Sequence, residues 1–242
     1  MITYKIISKT GSRPVNEDCT GMHQKGETYG FFLADGLGGH GKGDVASKTA
    51  IEQAMIQFDQ GSCSEDTLKK IFEFGQAGVL EQQRIAGNMQ GMKTTMTALL
   101  MDQKNIRWGH IGDSRIYYFC NNKLIGRTMD HSVPQMLVAA GEIKEKEIRH
   151  HPDRNRLLRV MGVDEENLRY QLSEPISRKG RQAFLLCSDG FWELIEEKEM
   201  TTLLKKSRSV EQWLDEMEIL VRRHGYGTNM DNYSAAAVWV DM

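Results

Sequence analysis

The stretch FFLADGLGGHGKGDVASKTA, residues 31–50, decides how this chain is read. An apolar run enters Asp35 and Gly36, glycines recur at 38, 39, 41 and 43, and an amphipathic segment follows from Asp44. Strand, glycine loop and helix are the setting of a phosphate-cradling loop, and Gly36, Gly41 and Lys42 stand at its spacing. The position after the lysine should supply a hydroxyl to magnesium, and Gly43 has none. Asp35, at the mouth of the loop, would face phosphate oxygens with like charge. Both features count against a nucleotide.

The other reading turns on Asp35 itself. A carboxylate at the end of an apolar strand can hold a hard divalent cation through oxygen. For any single Asp-Gly, a solvated turn is the commoner explanation. The device recurs, however. AFLLCSDGFWELI leads a second apolar run into Asp189 and Gly190, WGHIGDSRIYYF sets Asp113 between two strands, and NMDNYSAAAVWV puts Asp231 before another. Near the start, SRPVNED supplies Arg13, Glu17 and Asp18. If these carboxylates converge they repel, and metal ions among them would relieve the repulsion. Spacing alone leaves the convergence open.

Bulk properties narrow the class. The 242 residues suffice for one sizeable core, and without repeats, low-complexity stretches or a Pro/Ser-rich linker the chain reads as a single domain over 1–242. Thirty-one Lys and Arg against 33 Asp and Glu give a net charge of −2, which supplies no global attraction to nucleic acid or an anionic membrane. No signal peptide or spanning segment is evident. Cys19, Cys63, Cys120 and Cys187 are scattered without a C-x-x-C pair, as expected of reduced thiols in a cytoplasmic protein.

Alternation predicts strands over 4–8, 29–34, 94–101, 106–111, 115–119, 168–172, 183–187 and 234–240. Helices are predicted from Asp44 to about Phe58, burying Ile51, Met55 and Phe58; from Ser64, with Leu68, Ile71, Phe72, Gly75 and Val79 on one face; and from Ser209, with Gln212 completing a capping box and Gly225 stopping the helix. Strands mostly follow strands, so two sheets packed face to face with helices outside fit better than a doubly wound parallel sheet.

At these residues the chain resembles the metal-dependent, type 2C serine/threonine protein phosphatases, and looks like a compact bacterial member. The blocks GSRPVNED, ADGLGGHGKGDVAS, GMKTTMTALL, GHIGDSRIYYF, TMDHSVPQMLVAAGEI, HPDRNRLLRVMG, LLCSDGFWELI and MDNYSAAAV occur in family order over almost the whole chain. Any one is a weak pattern; eight in order are specific. The resemblance implies an α+β, four-layer α/β/β/α sandwich, its two central sheets mainly antiparallel, with two Mn²⁺ or Mg²⁺ ions at one end. By analogy Asp35 would bridge both ions, the Gly36 carbonyl would ligate one, and Asp189 and Asp231 would complete the other. Asp18 would act through bound water, Asp113 would help hold a third ion, and Arg13 would grip the substrate phosphate. Two cations about 4 Å apart would generate a bridging hydroxide that attacks the phosphoryl group directly, without a phosphoenzyme. The partners implied are phosphoserine and phosphothreonine proteins, including a bacterial Ser/Thr kinase or its substrates, met by a monomer with no nucleic acid or membrane partner.

Some positions depart from the family pattern. Leu37 stands where eukaryotic members carry a histidine proposed as the acid; His40, three residues on, is a catalytic candidate that would touch substrate or a substrate-facing water, the alternative being a loop histidine with a structural hydrogen bond. Lys93, Trp192, Tyr233 and Ser234 are further departures, none of which removes a ligand. The segment 141–162 corresponds to a flap beside the site, where Arg149, Arg154, Arg156 and Arg159 are available to acidic or phosphorylated substrate; interleaved acids make a solvated mixed-charge face the plainer reading. His131 reads as structural. The alternative function is a non-catalytic phosphoprotein-binding module on the same fold.

Overall fold

Alternation along the strands builds the architecture. A computed structural model describes residues 1–37, 42–87, 91–163 and 168–240. In chain order the elements are β1 (Ile2–Lys9), β2 (Asp18–Lys25), β3 (Thr28–Leu37), α1 (Gly43–Gln60), α2 (Glu65–Ala86), β4 (Lys93–Thr94), β5 (Met96–Met101), β6 (Asn105–Ile111), β7 (Arg115–Cys120), β8 (Lys123–Arg127), α3 (Val133–Ala139), β9 (Gln171–Leu172), β10 (Ile176–Ser177), β11 (Gln182–Cys187), α4 (Asp189–Trp192), α5 (Glu197–Lys206), α6 (Val210–His224) and β12 (Tyr233–Val240). A 3₁₀ turn, Glu145–His150, follows α3.

One sheet has the order β1-β12-β11-β7-β8 and the other β10-β6-β5-β3-β2, with β4 pairing β3 and β9 pairing β6. Every pairing is antiparallel. Successive side chains point to opposite faces, so each central strand feeds two cores. Phe31 and Leu33 of β3 meet Phe184, Leu186, Ala236 and Val238 between the sheets. Phe32 and Ala34 face α1 and α2, whereas Leu185, Ala235 and Ala237 face α5 and α6. The result is the expected four-layer α/β/β/α sandwich.

The helix signals act as predicted, with one change. Ser64 Oγ accepts the Thr67 N–H at 3.1 Å, and Leu68, Ile71, Phe72, Gly75 and Val79 are buried on one face. Ser209 Oγ accepts the Gln212 N–H at 3.2 Å, but Gln212 reaches back to the N–H of Arg208, so the box is only half formed. The helix from Asp44 runs on to Gln60; Ile51 and Phe58 are buried and Met55 is half-buried against the same core.

Several strands differ from expectation. The predicted strand over 94–101 breaks at Thr95, whose hydroxyl accepts the Asp35 N–H at 3.0 Å and whose N–H donates to the Asp35 carbonyl at 2.9 Å. Of 168–172 only Gln171–Leu172 pairs, because Tyr170 stacks on Phe72 with ring centroids 4.9 Å apart. Strands β2, β8 and β10 have no counterpart in the pattern; β2 and β8 are edge strands carrying glycines, Gly21 and Gly126.

One buried charge network ties the layers together. Arg115, 2% exposed, forks onto both oxygens of Asp130 at 2.8 and 2.7 Å, and its guanidinium lies 3.4 Å from the centroid of the Trp192 ring. Breaking such a pair from one side leaves a buried charge unmatched. Asp130→Ala is therefore expected to lower stability by about 3–5 kcal/mol, and Asp130→Ala combined with Arg115→Met to cost less than the single change. Urea unfolding of both variants checks this; a double variant weaker than the single would sink the account.

Candidate metal and phosphate site

Antiparallel registers bring the predicted residues to one end of the sandwich. Asp18 opens β2 directly opposite Asp35 near the end of β3. Asp113 lies in the turn joining β6 to β7, Asp189 follows β11, and Asp231 precedes β12. Asp35, Asp113, Asp189 and Asp231 line one cleft of about 400 Å³ together with Arg13, Glu17, Gly36, Asn155 and Leu157. Asp18 is buried behind them. Their convergence, left open by spacing, is thus a property of the fold; His40 lies outside the described residues.

Each carboxylate is held by its backbone. Asp35 is pinned by Thr95 and by the Thr94 hydroxyl, which donates to its carbonyl at 2.8 Å. Beside it the chain turns so tightly that a Cβ on Gly36 would stand 2.2 Å from the Gly43 carbonyl oxygen, so only glycine admits α1 this close. Asp113 follows Gly112, whose φ of 98° is open to glycine, and its carbonyl accepts the indole N–H of Trp192 at 3.0 Å. Asn232 clamps the loop that carries Arg13: its amide donates to the carbonyls of Thr10 and Val15, both at 2.9 Å, and its oxygen accepts the Glu17 N–H at 2.8 Å. Arg13 in turn donates to Asp231 at 2.9 Å.

Crowding shows in the protonation equilibria. Asp18 is pushed up to about 7 by burial, with the charges of Asp189 and Asp231 adding to it against the Ser234 and Ser188 hydroxyls. Asp35 is raised well above the usual range by desolvation and then by Asp18, Asp189 and Asp113. Burial followed by Asp189 does the same to Asp113, and burial followed by Asp231 raises Asp189. One oxygen of Asp18 accepts the Ser188 hydroxyl at 2.8 Å; the other, Oδ1, is buried without a hydrogen-bond partner. An orphaned buried carboxylate oxygen among like charges, in a set of purely oxygen donors, fits hard divalent cations. Among the described residues, however, no three or more His, Cys, Asp or Glu side chains are set close enough around one point to hold an ion between them as they stand.

Several contributors escaped the sequence reading. Ser188 and Asn232 look like ordinary turn residues, and Ser234 was legible only as a departure, yet together they orient Asp18 and the Arg13 loop. Trp192 proves to be an anchor for the Asp113 turn. Two flap arginines are neither open to substrate nor part of a solvated mixed-charge face within the segment: Arg149 pairs with Glu197 at 2.5 Å and donates to the Trp192 carbonyl, while Arg154 pairs with Glu193 at 3.0 Å. Half-buried acids outside the flap, one just after α4 and one on α5, claim them. Arg156 is 68% exposed beside Asp153, and Arg159 is exposed. His131 is structural, stacked on His110 at 4.6 Å and accepting the Gly112 N–H.

Clustered oxygen donors beside a guanidinium, at one end of a two-sheet antiparallel sandwich, are equipped for metal-assisted chemistry on phosphoesters. Residues 8–232 match the family model Protein phosphatase 2C, and the chain belongs to that family of serine/threonine phosphatases. It is 30% identical over 234 residues to the serine/threonine phosphatase stp of Listeria monocytogenes serotype 4b, covering 94% of this chain and 91% of the relative. It is similar to the crystal structure of Stp1 from Staphylococcus aureus, with a TM-score of 0.89, 26% identity and coverage of 100% of this chain and 96% of that one. The catalytic domain of the phosphatase PstP, solved in complex with two manganese ions, superposes with a TM-score of 0.78 at 27% identity over 99% of each chain.

A group whose pKa is raised by folding binds its proton more tightly in the folded state, so stability is lost as pH rises between the unfolded and folded values. In EDTA the melting temperature should fall as pH rises from about 5 to about 7, and Asp18→Asn should flatten that slope and raise the value at neutral pH. An unchanged slope in the variant, measured by scanning fluorimetry, would remove Asp18 from this account.

Proposed function

We propose that this chain is a divalent-metal-dependent phosphatase of phosphoserine and phosphothreonine in proteins, working as one catalytic domain over residues 1–242. The observation that carries the reading is the meeting of Asp35, Asp113, Asp189 and Asp231 with Arg13 in one cleft. Asp35, the Gly36 carbonyl, Asp189 and Asp231 would hold two ions, Asp18 would support them from behind through water, and Asp113 would help hold a third. When bound, the ions supply Lewis acidity, lowering the pKa of water and neutralising charge on the phosphoryl group. Mn²⁺ and Mg²⁺ suit the same oxygen donors, and the manganese ions of the PstP domain favour the former as a first trial.

The chain's own groups position the substrate. The Arg13 guanidinium spends one N–H on Asp231 and keeps the others for phosphate oxygens, in the forked geometry a phosphate favours. Asn232 fixes the loop beneath it, so the guanidinium is set before substrate arrives. Leu37 and Leu157 give the cleft an apolar side that limits water near the reacting group. His40 is proposed to touch the substrate or a substrate-facing water.

The relatives named serine/threonine phosphatases support a phosphoprotein substrate, with a bacterial serine/threonine kinase or its targets as the counterpart. A monomer in the cytoplasm is the simplest setting, consistent with four free cysteines, and no helix among the described residues is long and apolar enough to cross a membrane. A binding module without catalysis is disfavoured because none of the expected carboxylates is missing from the sequence.

The test is hydrolysis of a phosphothreonine peptide with Mn²⁺, with Mg²⁺ and with EDTA. Phosphate release with metal and none with EDTA is expected. Outer-shell changes at metal sites cost about 10–100-fold, so Asp189→Asn and Asp231→Asn should each lose more than about 100-fold while melting cooperatively; wild-type rates in both would end the proposal. For Arg13→Ala, the loss of charged hydrogen bonds should lower kcat/KM by about 10–100-fold, mainly through KM. Steady-state kinetics showing KM unchanged would place the phosphate elsewhere.

A further inference from the structure

Behind the loop that carries Arg13 lies a second groove, larger than the cleft, of about 870 Å³. Residues 9–12 form one wall, and the last turn of α6 with the following loop forms the other. The two depressions share a rim. Ser12 N–H donates to the Met230 carbonyl at 3.0 Å, and Gly11, with φ at 59°, packs so closely that a Cβ there would stand 2.1 Å from the Asp231 carbonyl oxygen. The backbone that sets Arg13 and Asp231 over the cleft is therefore also the near edge of the groove. Ser12 and Met230 on the groove adjoin Arg13 and Asp231 on the cleft in the chain, so the two depressions lie on either side of one loop.

The groove is basic on a chain whose net charge is −2. Lys9, Arg222 and Arg223 line it, all three exposed, and among the described residues none has a carboxylate within ion-pair distance. What sets these three apart is their grouping along one groove: Lys69 and Lys70 pair with Glu65 and Asp66, while exposed cations elsewhere, Lys205 and Lys206 among them, are also without a carboxylate partner among the described residues. The single acid lining the groove, Glu218, accepts the Tyr233 hydroxyl at 3.3 Å. Tyr226, 89% exposed between Gly225 and Gly227, presents an uncovered aromatic ring at the same place. Cations without partners attract acids, and an exposed tyrosine offers a flat face and a polar tip to a peptide backbone.

We infer that this groove takes the acidic flank of the phosphopeptide substrate, with Lys9, Arg222 and Arg223 selecting Asp and Glu near the phosphorylated residue. The inference rests on the phosphatase reading. It makes these three side chains determinants of specificity that stay apart from the reacting atoms, so they should act on peptides and leave small phosphoesters alone.

The manganese-loaded protein is given three phosphothreonine peptides, with acidic residues before the phosphothreonine, after it, or on neither side, and p-nitrophenyl phosphate as the substrate without flanks. Exposed rim charges each contribute modestly, so three together should raise kcat/KM for one acidic peptide by about tenfold over the neutral one. Arg222→Glu with Arg223→Glu should abolish that preference while p-nitrophenyl phosphate turnover stays within about twofold. Equal kcat/KM for all three peptides, or a preference that survives the double reversal, would overturn the inference. If nothing, including p-nitrophenyl phosphate, is hydrolysed, the phosphatase reading itself fails. Fluorescence anisotropy of the labelled acidic peptides in EDTA then judges the groove separately: binding weakened by the reversal supports it, and unchanged binding or equal binding of a single-stranded oligonucleotide overturns it.

Discussion

Like charges crowded at one end of a sandwich are the constraint on which this structure depends. Burial raises the proton affinity of Asp18, Asp35, Asp113 and Asp189, and neighbouring carboxylates add to it, so the folded chain holds a site that opposes its own formation. Fixed anchors keep them there: Thr94 and Thr95 for Asp35, Ser188 for Asp18, Trp192 for the turn of Asp113, and Asn232 for the loop facing Asp231. Strain of this kind persists only where the surroundings over-determine it, and the three apolar layers supply those surroundings.

The anchors belong to a network that also reaches the flap. Trp192 holds the Asp113 carbonyl on one side and stacks against Arg115 on its face, while Arg149, on the 3₁₀ turn, donates to its backbone and pairs with Glu197 on α5. Asp130, three residues after β8, closes the network through Arg115. The position of one cleft carboxylate and the docking of the flap are thus parts of a single packed unit, and a change at the indole would be felt by both.

Much of this was legible in the sequence, and the exceptions have common causes. Strands buried on both faces, such as FFLA in β3 and AFLLC in β11, announce themselves as apolar runs. Edge strands do not: DCTGMHQK and KLIGR are polar or exposed, and they become strands because a neighbour offers an unpaired edge. The break at Thr95 and the late start of β9 came from side-chain contacts, a hydroxyl on Asp35 and a ring on Phe72, that lie far away in sequence. The flap arginines were misjudged for the same reason. Charge alternation along 141–162 suggests solvated ion pairs within the segment, whereas Arg149 and Arg154 find acids on α5 and beside α4.

By itself the sequence determined which chemistry is available: Asp-Gly at the ends of apolar runs, an arginine beside an acidic pair, no hydroxyl after Lys42, and blocks in the order of one phosphatase family. Those are statements about residue type and local spacing, which short-range periodicity carries. Only the tertiary structure decided that carboxylates from five separate segments face one cleft, that Asp18 is buried behind the others, and that Arg13 leans on Asp231, 218 positions away in sequence. Convergence is set by sheet register and by which faces the apolar layers bury, and these are long-range properties that no local pattern encodes.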